Sequence, residues 1–296
     1  ISKKTITAFA KEESVVVLTE TTSNVHHETF INTIDTIITP FTKEDFEYFR
    51  PEILVTFGGM VVSKRIKTFL RKYKPKHHWH IDPWRAYDTF GALTKHFEVT
   101  PNVFFDAFLP LTNATESNYF QQFNAVKVLR KLKSDFYLSK IPFSDFKVFE
   151  KVIQRLPMNS QLQISNSSAI RYAQLIDIDP SIDVYCNRGT SGIDGSTSTA
   201  IGAAVANKKQ TIFITGDISF LYDSNALWNN YIPKNFKIIL INNGGGGIFR
   251  ILPGHEESPV FNTFFETSHC LTAEHLAKMY GFEYGIASDE TSLVTS

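Results

Sequence analysis

Short apolar runs alternate with segments of helical spacing along the whole chain. The apolar runs predict strands at residues 15–18, 53–57, 77–81, 184–187, 211–215, 236–242 and 282–286. Helical spacing and capping residues predict helices at 61–73, 168–175, 196–207, 221–231 and 272–280, and a mostly helical stretch over 114–155. Strands that alternate with helices are typical of parallel sheets covered by helices. The pattern therefore predicts an α/β fold with two Rossmann-like, doubly wound parallel-sheet domains.

The distribution of glycine divides the chain into two parts. Only three glycines precede residue 189, whereas ten of the fifteen lie between residues 189 and 254. Glycine gathers where the backbone turns sharply or approaches a ligand closely. The predicted parts are a first domain at 1–135, a helical connector at 136–157 and a second domain, truncated at its C-terminus, at 158–296.

Charge and composition exclude several classes of protein. Thirty basic residues balance thirty acidic ones, and no basic stretch suggests nucleic acid or an anionic membrane as a partner. No apolar run is long enough to span a bilayer, and residues 1–5 lack the apolar core of a signal peptide. The two cysteines, Cys186 and Cys270, are too few and too distant for a disulfide framework or a zinc site. We therefore expect a globular protein of the cytoplasm.

Polar side chains follow two of the predicted strands. Gly216 and Asp217 come directly after the run 211–215, and Asn242 and Asn243 follow the run 237–241. If the two strands are neighbours, a carboxylate and a carboxamide lie at the carboxyl edge of one sheet, where open α/β sheets bind ligands. Such oxygen ligands suit Mg²⁺, which is usually held by one or two protein groups and substrate phosphates. The sequence therefore predicts a metal-bridged diphosphate, although Asp217 alone could simply cap a helix.

Three longer segments make this motif more specific. They are residues 187–195, 219–223 and 245–253. Together with the Gly-Asp and Asn-Asn pairs they resemble the family of 2-succinyl-5-enolpyruvyl-6-hydroxy-3-cyclohexene-1-carboxylate synthases (MenD), which use thiamine diphosphate. Residues 20–24 and 57–59 resemble the middle domain of that family. The resemblance covers nearly the whole chain and implies a C-terminal fragment without the N-terminal pyrimidine-binding domain; the chain also begins at Ile1, without an initiator Met.

The resemblance implies three groups of site residues. The Mg²⁺ or Mn²⁺ ligands are Asp217, Asn243 and the carbonyl group of Gly245. The residues that bind thiamine diphosphate are Ser191, Gly192, Ile193, Gly216, Ile218 and Ser219, with Ile193 supporting the bent shape of the cofactor. The residues that bind substrate are Ser167, Arg171, Arg188, Phe249 and Leu252, with Arg250 as a weaker candidate.

The residues themselves are consistent with several of these roles. The N–H groups of Ile218 and Ser219 open a predicted helix, and helix starts favour phosphate. The guanidinium of Arg188, just past a strand end, can bind a carboxylate through two hydrogen bonds. Ser167 and Arg171 are one helical turn apart. Taken singly, each arginine is more often a surface ion-pair residue.

The resemblance also implies a reaction. The family decarboxylates 2-oxoglutarate and adds the resulting carbanion to isochorismate, a transferase step of menaquinone biosynthesis. Its activating glutamate lies in the N-terminal domain, and its active site forms between subunits. We therefore expect a homo-oligomeric full-length enzyme and an inactive isolated fragment, with no catalytic residue of its own.

Two alternatives remain open at the level of sequence. One is another thiamine diphosphate enzyme, either a 2-oxoacid decarboxylase or an acetolactate synthase-like protein. The other is a non-catalytic nucleotide-binding module that uses the first Rossmann-like half. His78 and His80 share one face of a predicted strand, but no further ligand has a spacing that supports a metal site.

Overall fold

The computed structural model describes residues 3–251 and 256–295. The chain divides into two units, Ile1–Ser139 and Lys140–Ser296. Each unit contains one parallel sheet with helices beside it, which confirms the predicted α/β fold class. Within the described ranges, no helix combines the length and the apolar character that crossing a membrane requires.

The first unit is built on a three-stranded parallel sheet. Its strands, in the order β1-β2-β3, are β1 (Ile53–Phe57), β2 (His77–Ile81) and β3 (Lys95–Phe97). Its helices are α1 (Lys3–Phe9), α2 (Ile34–Ile38), α3 (Lys43–Tyr48), α4 (Lys64–Lys72), α5 (Pro101–Phe108) and α6 (Tyr119–Lys140), which crosses the boundary between the units. The Ser63 hydroxyl caps α4 by accepting a hydrogen bond from the Ile66 N–H at 3.0 Å. Ile66, Phe69 and Leu70 then bury the apolar face of α4.

The predicted strand at 15–18 is wrong. The segment forms one isolated parallel bridge, between Leu18 and Ile31. The Ile31 N–H donates to the Val17 carbonyl at 3.0 Å, and the Thr19 N–H donates to the Ile31 carbonyl at 2.8 Å. The chain after Ile31 soon enters α2, which begins at Ile34, so the ladder cannot continue.

The second unit is built on a four-stranded parallel sheet. Its strands are β4 (Gln161–Ile164), β5 (Asp183–Cys186), β6 (Thr211–Gly216) and β7 (Phe236–Ile241). Its helices are α7 (Asp145–Ile153), α8 (Ser168–Ala173), α9 (Ser196–Ala206), α10 (Asp217–Tyr222), α11 (Glu274–Met279) and α12 (Glu290–Thr295). Two 3₁₀ segments and a π-helix complete it, at Ser224–Trp228, Gly247–Ile251 and Phe261–Glu266.

The strand order of this sheet locates a ligand-binding crevice. The order is β5-β4-β6-β7. The chain passes from β4 to β5 on one side of β4 and then crosses to the other side to form β6. Such a reversal is the topological switch point of a doubly wound sheet, and ligands bind outside the carboxyl ends of the strands there. The crevice is therefore expected above the ends of β4 and β6.

Two further predictions for this unit are wrong. The predicted helix 221–231 is replaced by α10, which ends at Tyr222, and by a 3₁₀ segment. Asp223 ends α10 because its carboxylate accepts hydrogen bonds from the N–H and the hydroxyl group of Ser198, both at 2.7 Å. The predicted strand 282–286 has no strand partner among the residues that the structure describes. It follows a turn at Gly281, where φ is +76°.

Candidate functional site

The two predicted polar motifs lie at one edge of the sheet. Gly216 at the end of β6 is in register with Ile241 at the end of β7. Asp217 and Asn242 therefore leave neighbouring parallel strands at the same level. The predicted adjacency of these two strands is confirmed, and Asp217 becomes the first residue of α10.

The carboxylate of Asp217 is bound to the loop of four consecutive glycines at 244–247, the glycine-rich loop. Asp217 is 4% exposed. Its Oδ2 accepts hydrogen bonds from the N–H groups of Gly244 at 2.8 Å and Gly245 at 3.0 Å, and its Oδ1 accepts one from Ile218 at 2.7 Å. These contacts bring Asp217 and Gly245, two of the predicted metal ligands, together.

A histidine that the sequence did not single out faces the same carboxylate. His269 Nε2 lies 3.3 Å from Asp217 Oδ2. The Leu271 N–H donates to His269 Nδ1 at 3.1 Å, so the neutral ring carries its proton on Nε2. This Nε2 is buried, and it approaches Asp217 Oδ2 without the geometry of a hydrogen bond. No local pattern indicated this residue, because its backbone is held from a distance by the Gly244 carbonyl.

Asn243, the third predicted metal ligand, is held by an acidic side chain from α7. Its Nδ2 donates to Asp145 Oδ2 at 2.8 Å. A carboxylate can only accept, so the amide nitrogen must face Asp145 and the Oδ1 atom remains for another partner. Asp145 was not predicted as a site residue; it lies within the predicted connector.

Gly245 occupies a position that only glycine suits. Its φ is +151°, and an added Cβ would lie 2.8 Å from the Glu266 carbonyl oxygen. The next N–H, of Gly246, donates to that same carbonyl group at 2.6 Å. The glycine-rich loop is thus packed directly against the backbone of the π-helix.

A second set of contacts gathers around Asn166, just past the end of β4. Its Nδ2 donates to the carbonyl groups of Asn187 and Gly192, both at 2.6 Å. Its Oδ1 accepts from Arg188 Nη1 at 2.7 Å and from Cys186 Sγ at 3.4 Å. Asn166 was not predicted as a site residue, and it holds the loop that follows β5.

The loop after β5 also contacts the start of α10. Ser219 Oγ donates to the Ile193 carbonyl group at 2.5 Å. The Ser191 N–H donates to the Arg188 carbonyl group, and the φ of Ser191 is +66°. The structure therefore brings Ile193 and Ser219 into contact, and Arg188 and Ser191 into one turn. Gly216 ends β6 in an extended conformation with open space at its Cα.

Three other predicted positions lie in different local surroundings, and a fourth lies outside the described residues. Ser167 precedes α8 with φ at +69°, an unfavourable value for a residue with a side chain, and Arg171 lies within α8. The Phe249 ring packs edge-on against Phe265, with centroids 6.0 Å apart. Leu252 lies outside the described residues.

Arg250 is paired with acidic side chains rather than open to a ligand. Its Nε and Nη2 donate to the two carboxylate oxygens of Glu266 at 2.6 and 2.5 Å, and Nη1 lies 3.5 Å from Glu257. The hydrogen bond to Glu266 raises the pKa of Arg250 further. This geometry argues against the weaker suggestion that Arg250 binds substrate.

Cys186 lies beside this site as an inert thiol. Burial raises its pKa to about 11, although the nearby Arg188 opposes the shift. The thiol therefore stays protonated at neutral pH. Because the thiolate is the nucleophilic form of cysteine, Cys186 is expected to be unreactive.

Comparison with known proteins finds one matching family profile and several similar curated proteins. Residues 167–294 match the profile of the thiamine pyrophosphate enzyme, C-terminal TPP binding domain. A 2-succinyl-5-enolpyruvyl-6-hydroxy-3-cyclohexene-1-carboxylate synthase of Flavobacterium johnsoniae is 73% identical over 96% of the chain and 51% of the relative. Synthases of the same name from Flavobacterium psychrophilum and Christiangramia forsetii are 70% and 52% identical, over 96% and 99% of the chain and 52% of each relative.

Residues 167–294 are thus similar to the C-terminal cofactor-binding domain of thiamine pyrophosphate enzymes, and the chain as a whole is similar to the named synthases. It spans about half the length of the curated relatives that it matches. The matched segment includes the ends of β5, β6 and β7 and most residues of both sets of contacts, whereas Asn166 lies one residue before it. Asp145, which holds Asn243, lies before the matched segment.

The donors at this edge suit the group that such enzymes bind. Within the described ranges, no three His, Cys, Asp or Glu side chains are placed to hold a metal ion together. A cation there would have to use one carboxylate with amide, backbone and ligand oxygens, which is how Mg²⁺ bound to a diphosphate is usually held. Asp217, the Oδ1 atom of Asn243 and the backbone of the glycine-rich loop are donors of these kinds at the carboxyl ends of β6 and β7.

Proposed function

We propose that this chain supplies the diphosphate- and metal-binding part of a thiamine diphosphate- and Mg²⁺-dependent synthase. In this proposal the enzyme joins 2-oxoglutarate, after decarboxylation, to isochorismate in menaquinone biosynthesis. The observation that carries it is the buried Asp217 carboxylate, bound to the glycine-rich loop beside a topological switch point. The names of the three relatives and the matched cofactor-binding domain support the same reading. The proposal also includes a cytoplasmic location and a homo-oligomeric full-length enzyme.

Three residues would hold the metal ion in this proposal. Asp217 would supply an anionic oxygen, Asn243 its Oδ1 atom and Gly245 its carbonyl group. Asp145 would keep the amide nitrogen of Asn243 turned away from the cation, because it accepts the hydrogen bond from Nδ2. The remaining contacts to the cofactor would come from Ser191, Gly192, Ile193, Gly216, Ile218 and Ser219.

The cofactor, when bound, supplies the carbanion chemistry and the electron sink for decarboxylation. The chain supplies the charges that orient a dicarboxylate. The Nε of Arg188 is buried without a hydrogen-bond partner among the described residues, although its Nη1 is held by Asn166. A substrate carboxylate would satisfy this donor, and Ser167 and Arg171 would assist from the start of α8. Phe249 and Leu252 would form apolar walls that exclude water.

The test is a calorimetric titration of the chain with thiamine diphosphate in the presence of Mg²⁺. Asp217→Asn removes one anionic ligand and should weaken binding about tenfold or more, which is about 1.4 kcal/mol. Asp183→Asn is the matched control, because Asp183 begins β5 at the opposite edge of the sheet and pairs with Lys209. The control should bind as the natural chain does.

Two outcomes would contradict this proposal. One is unchanged affinity in a folded Asp217→Asn variant. The other is binding of NAD without binding of thiamine diphosphate, which would favour a nucleotide-binding module instead. Circular dichroism of each variant establishes that the protein remains folded.

A further inference from the structure

We propose that Asn166 is a positioning residue, which fixes the loop 187–192 and orients the guanidinium of Arg188 for a carboxylate ligand. This inference rests on the proposed function for the identity of the ligand. The contacts of Asn166 are independent of the proposed function, because they lie within the chain itself. Asn166 does not touch the reacting atoms in this proposal; it acts through the loop and through Arg188.

The first support is that every hydrogen-bonding site of this carboxamide is used. Asn166 is 2% exposed. Its two amide hydrogens go to two backbone carbonyl groups, and its oxygen accepts from a guanidinium and a thiol. Because carbonyl oxygens can only accept, the nitrogen must be the atom that faces them. One buried side chain therefore fixes the chain direction at Asn187 and Gly192 and the orientation of Arg188.

The second support is the state of the guanidinium. Asn166 holds Nη1 of Arg188 at 2.7 Å, whereas Nε is buried and has no partner among the described residues. Because the guanidinium is planar, fixing Nη1 limits the direction in which the other donors can point. A buried N–H without a partner is unfavourable, and an anionic oxygen is its strongest acceptor. The geometry thus leaves a directed donor for a carboxylate.

Two substitutions separate this role from ordinary packing. Asn166→Ala removes all four hydrogen bonds. Asn166→Asp keeps the shape and an acceptor for Arg188, but it loses both donors to the carbonyl groups and adds a negative charge beside the guanidinium. That charge competes with a carboxylate ligand, so Asn166→Asp should weaken carboxylate binding more than Asn166→Ala does. If Asn166 had a purely structural role, the variant with the larger loss of stability would also show the larger loss of carboxylate binding.

The first experiment needs no ligand. Hydrogen exchange of the backbone amides of residues 187–195 is measured by mass spectrometry in the natural chain and in both variants. We expect exchange about tenfold faster or more in both variants, because the loop loses its anchor to β4. Asn235→Asp is the matched control, since Asn235 also donates to two backbone carbonyl groups, those of Lys208 and Lys209. Unchanged exchange of 187–195 in folded Asn166→Ala would overturn the proposal.

The second experiment measures binding of 2-oxoglutarate to the chain loaded with thiamine diphosphate and Mg²⁺. We expect the dissociation constant to rise about tenfold or more in Asn166→Asp. Adding Asn166→Ala to Arg188→Ala should change the dissociation constant little beyond the effect of Arg188→Ala alone. Additive effects of Asn166→Ala and Arg188→Ala would overturn the positioning role. If the natural chain binds no 2-oxoglutarate, the proposed substrate is wrong, and the exchange of 187–195 alone decides the role of Asn166.

Discussion

At Gly245 the backbone adopts a conformation that a side chain would oppose in two ways. The φ of +151° disfavours any L-residue, and a Cβ would lie 2.8 Å from a backbone oxygen that cannot move away easily. We expect Gly245→Ala to lower the free energy of unfolding by about 1–3 kcal/mol. The measurement is denaturant unfolding followed by circular dichroism.

Gly202 provides a control, because the same substitution there should change the stability in the opposite direction. It lies within α9, and an added Cβ there would meet no atom within 4 Å. Gly202→Ala should raise the stability by about 0.5–1 kcal/mol, because alanine restricts the unfolded chain. If Gly245→Ala were as stable as the natural protein, the loop would have to adopt another conformation.

The site residues that the sequence predicted are those with a local signature. Asp217 and Gly245 each stand beside a glycine at the end of an apolar run, and that pattern is visible in a single segment. Asn166, His269 and Asp145 have no such signature. Each is recruited by a partner far along the chain, as Asp145 is by Asn243. Such contacts exist only once the sheet has brought the segments together.

At the scale of elements, the local pattern predicted the strands whose own residues are apolar. It did not predict strands that form because they pair with segments distant in the sequence. Strand β4 was not predicted, because Gln161 and Gln163 interrupt its apolar residues. Both glutamines are nevertheless buried, and the Gln161 Oε1 accepts from Asn207 at 3.0 Å. The strand lies between β5 and β6, so pairing on both sides stabilises it despite its polar composition.

We expect strand β2 to make the stability of the first unit depend on pH. Thr56 Oγ1 on β1 lies 2.8 Å from His78 Nε2 and 2.9 Å from His80 Nδ1. Burial lowers the pKa of both histidines below 6.5; Asp88 opposes the shift of His78, Asp82 opposes that of His80, and each ring also experiences a neighbouring histidine. Both rings therefore stay neutral in the folded state at a pH where the unfolded chain already binds protons.

The sign of the effect follows from this difference. Unfolding takes up protons below the ordinary pKa of 6.5, so the stability of this unit should fall as the pH drops from there toward the lowered values. Urea unfolding at about pH 7.5 and pH 5.5 measures the change. His78→Asn should reduce it, whereas His275→Asn, on exposed helix α11 of the second unit, should not. Equal pH dependence in all three proteins would contradict the assignment to β2.

At the scale of the whole molecule, only the second of the two units matches the cofactor-binding profile. The cofactor-binding profile covers residues 167–294, all within Lys140–Ser296, and leaves Ile1–Ser139 outside. The relatives cover both units, but the chain spans about half of each relative. Repeated β-α alternation was enough to predict two sheets. It could not predict their strand order, because the order depends on which strands pair, and hence not the switch point beside Asp217.

This division leads to a prediction for cofactor binding in the intact chain. A ligand stabilises the region whose folded state it binds, by an amount that grows with its concentration and reaches about 2.7 kcal/mol at a hundred times the dissociation constant. Thiamine diphosphate with Mg²⁺ should therefore slow hydrogen exchange in residues 187–195, 216–219 and 243–247. Residues 77–81 of β2, in the other unit, should change much less, since units of a protein open separately when their stabilities differ. Equal protection of 77–81 would contradict the assignment of the cofactor to the second unit. Asp217→Asn at the same concentrations should reduce the slowing, because tenfold weaker binding lowers the stabilisation to about 1.4 kcal/mol.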